Sequence, residues 1–309
     1  MDDQRVGQPV VAGVDGSESS LQAVRWAARE ADQRRAPLRL VAAVGWVDVP
    51  HQYGDPRTGP DLRKVLLSQA RTHLADAARA AVDAVPGQEP EQEVLDGFPI
   101  PQLVAESRRA QLVVIGDRGL GGVAGLLIGS VAFALAAEGS CPVVVVRGQA
   151  DTTSGPVVVG VDGSPISEAA LAYAFEAAAL RGAPLLAVHA WRDVPLLAVH
   201  AERDVPLDPM TWASLDWDAV ERQAQADLAE RLAGWREKYP DVDVQRLVAQ
   251  DRPAKVLVEQ SAGAQLVVVG SRGRGGLAGL LLGSVSHAVL HRAECPVAIV
   301  RTDVGAAAR

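Results

Sequence analysis

Two glycine-rich segments carry the residue types best suited to holding an anion. Gly116-Asp-Arg-Gly119 is followed by nine residues and then Gly129-Ser130, and Gly270-Ser-Arg-Gly273 is followed by nine residues and then Gly283-Ser284. Glycine lets backbone N–H groups come close to oxygen atoms. A helix opening at Ser130 or Ser284 adds free N–H groups, the positive end of a helix dipole and a hydroxyl. That is chemistry for a polyphosphate. Upstream, Asp15 and Asp162 each follow an apolar run, where a carboxylate can accept hydrogen bonds from a ribose or help hold magnesium on phosphates. Arg118, Arg272 and Arg274 can reach phosphate oxygens or stay solvated. A Walker A loop is excluded because no Gly-Lys-Ser/Thr occurs, and the dinucleotide fingerprint fails at Ala124, where its third glycine belongs.

The pairing of these features reflects an internal repeat. PVVAGVDGS at 9–17 returns as PVVVGVDGS at 156–164, residues 110–132 return at 264–286, and CPVVVVR at 141–147 returns as CPVAIVR at 295–301. The chain is thus two copies of one unit, with boundaries expected at 1–148 and 156–309 around a polar linker at 149–155. Asp15 and Asp162 are 147 residues apart, but Gly116 and Gly270 are 154 apart. The excess traces to a tandem duplication, PLLAVHAWRDV (184–194) followed by PLLAVHAERDV (195–205), which differ only at Trp191 and Glu202. One sheet position accepts one copy. The first is the better candidate, because a loop at the carboxyl edge of a sheet absorbs an insertion more readily than a tight turn.

Elements able to position the loops follow from periodicity. Short apolar runs at about 9–14, 38–44, 91–95, 111–115 and 142–147 read as strands in copy one, separated by helical patterns over 17–35, 61–85, 100–109 and 130–139. Such alternation predicts parallel strands with right-handed crossovers and helices on both faces. Ligands then bind at the carboxyl ends of the strands.

Composition narrows the partners. Hydrophobic residues are 48% and aromatics only 4%, so the core must be Ala, Val and Leu. Net charge is −8, with 15 basic against 18 acidic residues in 1–150, which argues against nucleic acid as a partner. No run reaches the length of a membrane span and no secretory leader is visible, so a soluble cytoplasmic protein is expected. Cys141 and Cys295 read as small buried hydrophobes. His287 and His291 have metal-compatible spacing but no third ligand, so no metal held by protein alone is expected. His189 reads as a packing residue, and Trp212, Trp217 and Trp235 as aromatics packed on or near the second helix of copy two.

The pattern Gly, two residues, Gly, nine residues, Gly, Ser, complete in both copies, resembles the universal stress protein family in its tandem two-domain form. The resemblance covers nearly all of the chain. It implies two flavodoxin-like (Rossmann-like) α/β domains, each a five-stranded parallel sheet of order 3-2-1-4-5, with one ATP site per domain. Phosphates would meet Gly116, Gly119, Gly129, Ser130 and Val131, and in copy two Gly270, Gly273, Gly283, Ser284 and Val285. Asp15 and Asp162 would lie near the ribose. Backbone near Ala43 and Ala190 would meet the adenine, and Gly13 and Gly160 would let the chain pass close to it. The family also implies antiparallel pairing of the last strands, making an intramolecular pseudo-dimer; a homodimer would be a further step. Asp117 departs from the commoner small polar residue, and an added carboxylate near phosphates predicts a tighter second site. The function implied is an ATP-binding regulator of a stress response. The alternatives are a slow ATPase or nucleotidyl-transfer enzyme, for which no catalytic base is visible, and a nucleotide-free scaffold.

Overall fold

The computed structural model describes residues 7–45, 58–120, 128–191, 217–273 and 282–301. Copy one runs β1 (Val10–Gly13), α1 (Glu18–Gln33), β2 (Leu38–Val44), α2 (Thr58–Ala84), β3 (Glu91–Asp96), α3 (Pro99–Glu106), β4 (Leu112–Gly116), α4 (Ser130–Glu138) and β5 (Val143–Val146). Copy two follows with β6 (Val157–Gly160), α5 (Pro165–Arg181), β7 (Leu185–Ala190), α6 (Trp217–Lys238), β8 (Val244–Ala249), α7 (Pro253–Gln260), β9 (Leu266–Gly270), α8 (Ser284–Arg292) and β10 (Val297–Val300). Element bounds differ from the periodicity reading by a few residues. The third helix, for instance, starts at Pro99 because Pro fits the first helical turn, and it ends at Glu106 with Ser107 as its C-cap.

All ten strands form one sheet in the order β3-β2-β1-β4-β5-β10-β9-β6-β7-β8. Each half is parallel in the expected order 3-2-1-4-5. The halves join where β5 and β10 pair antiparallel, Val145 opposite Val297 and Val144 opposite Ala298. Every residue of these two strands is buried, so the most apolar edges cover each other. Alternate residues of β5 face opposite layers: Val144 and Val146 join the core under α1, α2, α5 and α6, whereas Val143 and Val145 join the core under α3, α4, α7 and α8. Both cores run through both copies.

The first of the duplicated segments supplies β7, which pairs with β6 and β8, Val159 opposite Ala187 and His189 opposite Val248. The second, 195–205, lies outside the described residues, together with Trp212 and Arg274. Trp235 packs in a stack with Phe175 and Tyr239. Cys141 and Cys295 are buried, and burial pushes the Cys295 thiol up to about 12. The His287 ring lies 4.4 Å from that of His291, tilted against it, and meets Phe133 of copy one edge-on at 5.8 Å. Among the described residues no group of His, Cys, Asp or Glu is arranged to hold a metal, and no helix is long and apolar enough to cross a membrane.

Two sets of polar contacts cross between the halves. Glu30 of α1 is buried against Arg34 (2.6 Å) and Arg181 of α5, and Arg34 also reaches Glu176 (2.5 Å). Arg34 lies over the Tyr173 ring and Arg181 over the Trp26 ring, at equivalent positions of the two copies. On the other face, Arg147 after β5 donates to the Leu290 carbonyl in the last turn of α8, and Arg301 after β10 donates to the Ala137 carbonyl in the last turn of α4. Each arginine thus supplies a cation to the negative end of the other copy's helix.

Candidate functional site

The site is built at the carboxyl ends of β1 and β4, which are neighbours in the sheet. Ser17 caps α1 by accepting from Ser20 N–H (3.1 Å), and its own N–H and hydroxyl donate to Asp15 Oδ1 at 2.9 and 2.6 Å. The other carboxylate oxygen, Oδ2, accepts from Leu120 N–H at 3.1 Å. Asp15 therefore tethers the glycine-rich loop to the start of α1. This explains Gly119: a Cβ there would sit 2.5 Å from Asp15 Oδ2. Copy two repeats the arrangement, with Asp162 Oδ1 accepting from Ser164 N–H at 2.9 Å and a Cβ at Gly273 colliding with Asp162 Oδ2. These glycines serve the carboxylate that organises the loop.

Each loop is closed at its base. Gly129 N–H donates to the Asp117 carbonyl at 2.7 Å, and Gly283 N–H to the Ser271 carbonyl at 2.8 Å. Gly129 and Gly283 are the N-caps of α4 and α8, and no side chain caps either helix. A serine or aspartate cap would fill the first turn; glycine leaves those N–H groups open to an anion. Gly116 and Gly270 end β4 and β9 against α1 and α5, where a Cβ would strike Ser19 in one copy and Ile166 (2.7 Å) in the other.

In copy one a cleft of about 660 Å³ opens between these elements. All nine residues singled out in that copy line it: Gly13, Asp15 and Ala43 from the β1 and β2 ends, Gly116, Arg118 and Gly119 from the loop, and Gly129, Ser130 and Val131 from α4. The Arg118 side chain is 63% exposed and lies 3.4 Å from Asp117. In copy two, Gly160, Asp162, Ala190, Gly270, Arg272, Gly273, Gly283, Ser284 and Val285 occupy the equivalent strand and helix ends. A small pocket there is lined by Asp162, His189, Asp227 and Arg231, among others.

Sequence reasoning missed the wall supplied by α2. Leu66, Gln69 and His73 line the cleft, and the His73 ring packs so closely on Gly16 that a Cβ there would lie 2.6 Å from it. The 154-residue offset holds the signal: it pairs Ala70 with Ala224 and Leu74 with Leu228 on the buried faces of α2 and α6, and so sets His73 opposite Asp227, a polar position beside a core stripe. The two clefts also exchange a histidine, since His189 of β7 stands where copy one has Ala42; its Nδ1 lies 2.7 Å from the Val161 carbonyl.

The chain matches the family model described as the universal stress protein family over residues 7–147 and again over 154–301. A universal stress protein of Mycobacterium tuberculosis strain H37Rv is 43% identical over 304 residues, covering 94% of this chain and 96% of its own length. A second from the same strain is 41% identical over 305 residues, covering 96% and 97%. Among solved structures, a universal stress protein from Archaeoglobus fulgidus DSM 4304 shares the fold with a TM-score of 0.67 at 19% identity, covering 96% of this chain and 97% of its own. With its sheet order, its paired glycine patterns and these relatives, the chain belongs to the universal stress protein family.

Proposed function

We propose that the chain binds adenine nucleotide, ATP in particular, at one site per copy, and acts in the cytoplasm as a nucleotide-dependent regulator of a stress response. The observation that carries this reading is the copy-one cleft. It has the size of a small-molecule site, roughly 300–1,000 Å³, and its polar end is the uncapped start of α4 beside a glycine loop. Its other walls, Val41, Ala42, Ala43 and Leu103, are apolar and suit a purine ring. Any magnesium would be held mainly by the phosphates, because both Asp15 oxygens are engaged by the chain itself. The reading is one of retention rather than turnover.

Thermal denaturation with and without ATP tests it. A ligand at 100 times its Kd should add about 2.7 kcal/mol of stability, seen as a clear rise in Tm, and the Gly119→Asp/Gly273→Asp double variant should lose that rise. Chromatography of nucleotide released by heating should show intact ATP. Steady appearance of ADP would favour the enzyme instead. The absence of both bound nucleotide and any thermal shift would leave only the scaffold reading.

A further inference from the structure

The two phosphate loops differ by two charges: Leu120 of copy one is matched by Arg274, and the carboxylate Asp117 by Ser271. The second difference is built into the packing of copy one. At equivalent positions of the copies stand Asp15 and Asp162, Arg118 and Arg272, and Arg147 and Arg301, but Asp117 of copy one is matched by Ser271. Asp117 is 8% exposed, and its Oδ1 accepts from the Ser19 hydroxyl at 2.8 Å. Ser19 is matched in copy two by Ile166, which offers no hydroxyl. The serine that steadies the carboxylate and the carboxylate itself thus occur together in one copy and are both replaced in the other.

The arginines respond accordingly. In copy one Arg118 pairs with Asp117, and Arg147 also faces that carboxylate. In copy two Arg272 faces Arg301, its Nε is buried, and that Nε has no hydrogen-bond partner among the described residues. The Glu138 carboxylate of copy one faces Arg301.

We propose that the two sites are tuned to different phosphate charge: copy two is the polyphosphate site, and Asp117 turns copy one toward adenine ligands with fewer phosphates. This rests on the nucleotide reading above. A unit charge a few ångströms from a phosphate changes affinity by tenfold or more even at the effective dielectric of a protein surface. The penalty should therefore grow from adenosine through AMP and ADP to ATP. It should be largest without a divalent cation and shrink as salt screens it.

Calorimetric titration of adenosine, AMP, ADP and ATP in EDTA measures this, using Gly273→Asp to isolate site one and Gly119→Asp to isolate site two. The preference for site two should be within about twofold for adenosine and about tenfold or more for ATP. Asp117→Asn, which keeps an acceptor for Ser19, should raise ATP affinity at site one about tenfold and leave adenosine unchanged. Ser271→Asp should impose the same discrimination on site two, independently of how well the Asp117 variant folds. A preference equal for adenosine and ATP, or ATP binding indifferent to both substitutions, overturns the inference while leaving nucleotide binding intact. Absence of binding by all four ligands at both sites overturns the nucleotide reading and this inference with it.

Discussion

Glu30→Ala should lower the stability of the protein by roughly 3–5 kcal/mol, read as a fall in the urea midpoint. Glu30 is 1% exposed and serves two guanidinium groups, one from its own helix and one from the other copy. Removing it leaves the buried Arg181 without that counter-charge and Arg34 with Glu176 as its remaining carboxylate, so desolvation that Glu30 had offset falls on the two guanidinium groups. The same principle predicts the rescue. Replacing Glu30, Arg34 and Arg181 by apolar residues of similar volume, with Glu176→Gln to remove the carboxylate that Arg34 also holds, should restore most of the loss, because a whole buried ion cluster is close to neutral against a packed apolar one. A single substitution tolerated within 1 kcal/mol would show that the cluster is not the inter-copy tie proposed.

The cluster also sets a pH dependence. Burial alone would raise the Glu30 pKa, but Arg181 and Arg34 outweigh it and hold the carboxyl below its ordinary value of 4.5. A folded pKa below the unfolded one means stability fully present above about 4.5 and lost as pH falls through the folded value. The stability difference between the wild type and Glu30→Gln should therefore be constant near neutrality and narrow in acid. A difference that widens below pH 4 would reverse the sign and refute the assignment.

Val144→Asp should be at least as damaging, about 4 kcal/mol or more. Val144 and its partner Ala298 are both fully buried at the antiparallel join of β5 and β10, within the core under α1, α2, α5 and α6. The substitution removes the burial of a valine, about 1.5–3 kcal/mol, and puts an ionisable group into an apolar core. Since both halves share that core, the loss should appear as one earlier transition of the whole chain. Val65→Asp, at a 60% exposed position on α2, is the control and should shift stability by no more than about 0.5 kcal/mol. Equal effects of the two would mean that the join is not part of the cooperative core.

Both predictions concern contacts invisible to periodicity. Glu30 and Arg181 are 151 residues apart, and each taken alone reads as an ordinary charged residue on a helix. His73 was likewise unread, although 61–85 was legible as a helical pattern; the buried face of α2 is Ala70, Leu74, Ala77 and Ala81. Its contact with Gly16 depends on how that helix lies across the β1 end.

What could be read without coordinates was what local chemistry and repetition impose. Parallel strands need long crossovers, so alternating apolar runs and helical stripes specified the class. Glycines recurring before a helix start specified the loops, and self-comparison specified two copies. The duplicated second strand is taken from the first segment as β7, the choice that the insertion tolerance of a carboxyl-edge loop favoured. What the tertiary structure alone decided lies where the copies meet and where charges balance. Glycine 119 answers to the Asp15 carboxylate, Arg147 caps a helix of the other half, and Asp117 finds Ser19 across 98 residues. The physical reason is common to all three. An electrostatic partner is chosen by distance in space, and that distance exists only after the antiparallel join of β5 and β10 and the β1–β4 pairing have brought remote segments together.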